Sequence, residues 1–184
     1  MGKPELTKQL IADTFKQLIT AQSLDKISIS EIVNACGLNR KTFYYHFEDK
    51  QALICWIFDR EFESLVDVNG NNTIIDELID HLYENRAFYV PALTSDVQNN
   101  LSEHIYRIIK QAMLQDIARA LNGKNLPDNK TDWIGNFFAN ATVGSIKQWA
   151  SSGMKRAHPE SYADSFGIAH ECLEWIVLRH AGTK

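Results

Sequence analysis

The sequence predicts an all-α protein, with an N-terminal three-helix helix-turn-helix domain followed by a larger helical domain. Three observations predict it. Apolar residues recur at spacings of three and four along nearly the whole of the 184 residues, and no stretch alternates as a half-buried strand would. Two short helix signatures follow one another across a glycine turn between Ser28 and Phe47. A hydrophobic content of 45%, with four Trp, is enough to bury a core.

The first helix begins at Pro4, whose missing N–H costs nothing in a first turn, and buries Ile11, Phe15 and Leu18. Ser28-Ile29-Ser30-Glu31 reads as a capping box, with Ile27 and Ile32 in the two positions of a hydrophobic staple. The second helix runs to about Ala35, and Gly37 closes it in a positive-φ conformation. Asn39 caps a third helix from Arg40 to Phe47. Asp49 starts a fourth that places Leu53, Ile57, Phe58, Phe62 and Leu65 on one side, and Asn69-Gly70-Asn71-Asn72 breaks it. Further helices are expected over residues 73–84, 87–93 (containing Pro91), 97–121, 132–151 and 159–180, with residues 122–132 as the longest polar loop. The division expected is residues 1–50 as the helix-turn-helix domain and residues 51–184 as the second domain.

Bulk properties narrow the function. The net charge of −4 does not advertise nucleic-acid binding, but residues 1–50 carry +1 and residues 51–184 carry −5. The three cysteines, Cys36, Cys55 and Cys172, are scattered and odd in number, as expected of reduced thiols in a cytoplasmic protein. With a polar start no signal peptide is expected, and no apolar run approaches the ~18 residues of a membrane span. Glu77/His81 and His170/Glu174 stand at helical i,i+4 spacing, which surface pairs share with acid–base groups. No HExxH, CxxC or phosphate-cradling glycine loop occurs, so neither an enzyme nor a metal or cofactor site is expected.

The third helix carries the functional signal. Phe43 and Phe47 lie one turn apart and face inward with Leu38, which leaves Arg40, Lys41, Tyr44 and Tyr45 facing out. In helix-turn-helix docking the N-terminal residues of the second helix reach base edges, and Arg reads guanine bidentately. Arg40 is therefore the expected base reader, joined by Lys41, with Tyr44, Tyr45 and His46 donating to phosphates. Lys50 sits in the first turn of the fourth helix, where the helix dipole disfavours a cation, and a bound phosphate would resolve that conflict. Ser28 and Ser30, at the start of the second helix, are candidates for another phosphate, although Ser28 is first of all a cap.

The run from Ile27 to Leu53, above all TFYYHFEDKQAL at residues 42–53, resembles the DNA-binding signature of the TetR/AcrR family. The resemblance is clear over about residues 5–65. It implies an all-helical fold with a larger ligand-binding and dimerisation domain. It also implies a homodimer that represses from a palindromic operator until a small-molecule effector releases it. Carried over by position, it implies operator contacts from Arg40, Lys41, Thr42, Tyr44, Tyr45 and His46, and phosphate contact from Lys50 and the start of the second helix. Cys36 falls where the family has a small residue and is read as packing. Residues 84–89 and 133–155 look like a subgroup associated with dihydroxyacetone kinase operons, some of whose members are activators that work with a protein co-regulator. No residue excludes that alternative.

The last two helices carry more apolar surface than one core face needs. Ile134, Phe138, Ala141 and Ser145 form one line, flanked by Trp133, Phe137, Ile146, Trp149 and Ala150. In the last helix Tyr162, Phe166, Ala169, Leu173 and Ile176 form one stripe, and Ile168, Cys172 and Trp175 another. Two stripes on one helix imply two packing partners, the second being the same helix pair of another chain, against the alternative of a fully buried central helix. Ala141, Gly144 and Ser145 would permit close approach. Phe88, Tyr89, Tyr106, Trp133 and Phe137 are the candidates to line an effector cavity, against the alternative of ordinary aromatic core.

Overall fold

The structure, a computed structural model, describes residues 2–63, 74–95, 100–155 and 159–182; for residues 74, 76, 100 and 159–166 it describes the backbone alone. The described residues form nine α-helices and no strand: α1 (Lys3–Ala21), α2 (Ile29–Ala35), α3 (Arg40–His46), α4 (Lys50–Glu63), α5 (Ile74–Glu84), α6 (Arg86–Thr94), α7 (Asn100–Leu121), α8 (Asp128–Ser151) and α9 (Pro159–His180). A short 3₁₀ turn at Leu24–Lys26 joins α1 to α2. Leu65, the Asn69–Asn72 break and Val97 lie outside the described residues, as do the side chains of Tyr162 and Phe166.

Local chemistry explains the front of the chain. The capping box forms: the Glu31 amide donates to Ser28 Oγ at 3.1 Å and the Ser28 amide donates to the Glu31 carboxylate at 2.7 Å. Gly37 takes φ +67°, and the Leu38 amide closes back on the Val33 carbonyl at 2.7 Å. Asn39 Oδ1 caps α3 by accepting from the Thr42 amide at 2.9 Å, and Asp49 caps α4 by accepting from the Ala52 amide at 2.7 Å. Asp128 opens α8 four residues earlier than expected. Pro127 supplies its fixed φ of −58° as the cap, and its carbonyl accepts from the Lys130 and Thr131 amides.

One apolar cluster runs from Ile11 to Val177 through all the described helices. The first domain is therefore not a separate globule. The Phe15 ring of α1 meets the Phe88 ring of α6 edge-on at 6.2 Å. In α4, Leu53, Ile54, Ile57, Phe58 and Phe62 are buried in the same cluster. Phe58 stacks on Phe62 at 5.3 Å and meets Tyr89 and His104 edge-on. A boundary at residue 50 thus falls at the start of a helix whose core is shared.

Within the chain, close helix approach and the expected close-approach face fall at different places on α8. The tight packing of α8 on α7 occurs at Gly135, where a Cβ would come within 3.1 Å of Leu114 Cδ2. Gly144 meets nothing within 4 Å, and Ala141 and Ser145 are exposed beside it. Ile134, Phe138, Ile146, Trp149 and Ala150 bury, as do Leu173 and Val177 of α9, whereas Ile168, Cys172 and Trp175 face outward.

A polar joint sits where the front of the chain meets the rest. The Glu61 carboxylate of α4 takes hydrogen bonds from Lys16 of α1 and from the Tyr89 hydroxyl of α6, the latter at 2.8 Å. His81 of α5 lies 2.9 Å from the Tyr89 hydroxyl and 3.4 Å from the Glu61 carboxylate. Burial alone would raise the Glu61 carboxyl; the bonds from His81, Lys16 and Tyr89 outweigh it and hold it at about 2. Burial, the Glu61 charge and its hydrogen bond push the Tyr89 phenol far up. His81 therefore faces this cluster, not Glu77.

Candidate nucleic-acid interface

Helix α3 shows its polar face to solvent because its apolar face is anchored. Phe43 is fully buried, Phe47 is buried just after the helix, and their rings lie 5.7 Å apart. Arg40 and Lys41 are exposed, Tyr44 is 49% exposed and Tyr45 is 79% exposed. A hydroxyl-bearing ring left that open, with no acid on the same helix, is an available donor beside two cations. The half-buried His46 ring packs edge-on against Tyr45 at 4.9 Å. Arg40, Lys41, Tyr44, Tyr45 and His46 thus belong to one short helix.

Arg40 is held across the turn. Its Nη1 donates to Ser30 Oγ of α2 at 2.9 Å and its Nη2 donates to the Tyr44 hydroxyl at 3.2 Å. This triangle was not legible in advance, because the Ser30 distance depends on how α2 and α3 cross. Only the i,i+4 spacing of Arg40 and Tyr44 signalled half of it.

Other expected contacts have partners inside the protein. The Ser28 hydroxyl donates to the Glu31 carboxylate at 2.8 Å. The Ser28 amide, the Ser28 hydroxyl and the Gln22 amide together hold the Glu31 carboxyl below the usual range. The Thr42 hydroxyl donates to Asn39 Oδ1 at 3.2 Å. The Lys50 ammonium donates to the carbonyls of Leu24 at 3.1 Å and Ile27 at 2.6 Å. The conflict between Lys50 and the dipole of α4 therefore has an internal resolution: the cation ties α4 to the end of the 3₁₀ turn. Cys36 packs half-buried against the core.

The five aromatic residues considered for an effector cavity do not come together. Phe88 and Tyr89 are buried in the core, and the Tyr106 hydroxyl donates to Asn136 at 2.6 Å. Trp133 and Phe137, 64% and 54% exposed, stack on each other at 5.5 Å on the outside of α8. Both positions flank the line of the buried Ile134 and Phe138, and the Phe137 ring meets the Phe138 ring edge-on at 5.5 Å. A cleft of about 340 Å³ between α8 and α9 is lined by Trp133, Ile134, Ile176 and His180 among others. On α9, Trp175 is 62% exposed, and Ile168 and Leu178 are exposed as well.

The remaining chemistry is structural. His170 lies 3.6 Å from both Asp116 and Glu174 at the surface. Burial and Asp59 raise the Cys55 thiol to about 11, so it stays protonated and unreactive near neutral pH. Among the described residues, no group of three or more His, Cys, Asp or Glu is placed to hold a metal ion, and no helix is long and apolar enough to cross a membrane.

Comparison with known proteins agrees with this geometry. Residues 11–54 match the bacterial regulatory proteins of the tetR family, and residues 72–168 match the transcriptional regulator C-terminal region. The chain is 29% identical over 123 residues to the HTH-type dhaKLM operon transcriptional activator DhaS of Lactococcus lactis subsp. lactis (strain IL1403). That alignment covers 64% of this chain and 63% of the relative's length. The solved structure of a dihydroxyacetone kinase operon activator DhaS superposes with a TM-score of 0.66 at 21% identity, covering 96% of this chain and 98% of that one. A tetR-family transcriptional regulator from Streptomyces coelicolor superposes with a TM-score of 0.54 at 17% identity, covering 98% and 91%. These two likenesses speak to the fold. The two matched segments together span most of the sequence, and the chain belongs to the tetR family of bacterial regulatory proteins: it is a transcriptional regulator, not an enzyme.

Proposed function

We propose that the chain acts in the cytoplasm as a homodimer on a palindromic operator, with residues 1–50 as its reading head and residues 51–184 as its dimerising and regulatory part. The observation that carries the reading is the exposed acid-free face of α3. Arg40 and Lys41 read base edges, and Tyr45 and His46 contact the backbone. Arg40→Ala should lower discrimination between operator and random duplex by about 1–3 kcal/mol while random-duplex binding persists. Gel-shift competition measures both; equal losses on both duplexes would contradict base reading.

The apolar strip of Trp133, Phe137, Ile168 and Trp175 supports the dimer. Two chains joined there would set two reading heads about 34–36 Å apart for successive half-sites. Trp133→Glu together with Trp175→Glu should leave a monomer in sedimentation and abolish tight operator binding. An intact dimer with both substitutions would place the interface elsewhere.

Two modes of regulation follow. In the first, the protein represses, and a small-molecule effector that prefers another head spacing releases it. In the second, it activates an operon of dihydroxyacetone metabolism together with a protein co-regulator. The likeness to the dhaKLM operon transcriptional activator DhaS supports activation. Deleting the gene and following the adjacent operon separates them: rising transcripts mean repression, falling transcripts activation.

A further inference from the structure

We infer that Ser30 and Tyr44 are positioning residues that hold the Arg40 guanidinium in the orientation with which it reads a base. The inference rests on the DNA-binding reading above and assigns these two residues a role other than phosphate contact. Arg40 is restrained from two directions: by Ser30 Oγ at 2.9 Å and by the Tyr44 hydroxyl at 3.2 Å. The guanidinium carbon also lies 5.7 Å from the centre of the Tyr44 ring, within reach of a cation–π contact. Ser30 belongs to the first turn of α2 and Tyr44 lies one turn beyond Arg40 on α3. Buried Ile32, Val33 and Phe43 fix the two helices beneath them.

The clamp leaves the reading function intact. A guanidinium carries five N–H donors in a rigid fork, and Ser30 and Tyr44 accept two of them. Three donors remain, one more in number than guanine O6 and N7 require. Both partners are neutral oxygens, so they orient the cation without neutralising it. A carboxylate in either place would compete with DNA for Arg40. α3 has no acid, and Glu31 of α2 is already tied to Ser28 and Gln22. Holding a long side chain in place before binding removes an ordering cost from the specific complex alone.

The test uses the full-length protein and a duplex motif enriched by the wild type from a randomised pool. Ser30→Ala and Tyr44→Phe should each flatten preference at the same base pair as Arg40→Ala, by about two- to tenfold, with random-duplex affinity unchanged. Tyr44→Phe keeps the ring and removes only the hydroxyl. Ser30→Thr should restore the preference, and Ser30→Ala should add nothing to Arg40→Ala. Uniform loss on every duplex would overturn the clamp in favour of phosphate contact. If Arg40→Ala flattens one base pair and the other two variants leave it intact, the clamp alone falls. If the wild type enriches no motif, the DNA reading falls and takes the clamp with it.

Discussion

The outer face of α3 and the joint around Glu61 are built from similar residues in opposite states. The face offers a cation pair, tyrosines and a histidine: Arg40, Lys41, Tyr44, Tyr45 and His46. The joint has a lysine, a tyrosine and a histidine: Lys16, Tyr89 and His81. What differs is the acid. At the joint the Glu61 carboxylate gathers the donors of three other helices. α3 carries no acid, and Arg40 donates only to the neutral oxygens of Ser30 and Tyr44. The same side-chain chemistry thus fastens helices in one place and faces solvent in the other.

Four substitutions would break or sharpen this contrast. Phe58→Ala should cost most, about 3–5 kcal/mol in urea unfolding, because Phe58 is fully buried among Phe62, His81, Tyr89 and His104. Glu61→Gln comes next, at about 2–3 kcal/mol, and it carries a pH signature. The Glu61 carboxyl is depressed from 4.5 to about 2 in the fold. Its contribution is therefore fully present above pH 4.5 and disappears as pH falls towards 2. Wild-type stability measured by urea titration should drop across that window more steeply than the variant's. Parallel curves would mean that the joint contributes no charge stabilisation.

Lys50→Met should cost about 1–2 kcal/mol of stability, since it strands the Leu24 and Ile27 carbonyls. The same variant tests the sequence-based expectation for this lysine. If Lys50 instead held a phosphate, the slope of log affinity against log salt would become shallower by about 1. Tyr45→Phe should have the smallest effect on folding, within about 0.5 kcal/mol, because its hydroxyl is in solvent. It should still weaken DNA binding by about 0.5–1.5 kcal/mol. A large loss of stability with unchanged DNA binding would place Tyr45 in the core.

The fold and the polar face of α3 were legible wherever the signal is local. Ser28 with Glu31, Gly37, Asn39 and Asp49 all act within four residues, and each takes up the conformation its chemistry favours. Phe43 and Phe47 announced the buried face of α3, and so its outer face. What depends on how helices cross was not legible. The Ser30–Arg40 bond spans ten residues, the Lys50 bonds span 26 and 23, and Glu61 meets Tyr89 across 28. Composition marked Tyr89 and Trp133 alike as aromatic candidates for a cavity. Packing sends one into the core, where its hydroxyl needs an acceptor, and the other onto the surface of α8.

The most direct test of the α3 face is backbone NMR of the full-length protein titrated with the enriched operator duplex and with a scrambled one. The operator should shift amide resonances over residues 39–47 and the flanking Ser30 most strongly, with smaller shifts from the scrambled duplex. Shifts concentrated on α8 and α9, with residues 39–47 unmoved, would contradict the assignment of α3 as the DNA-reading surface.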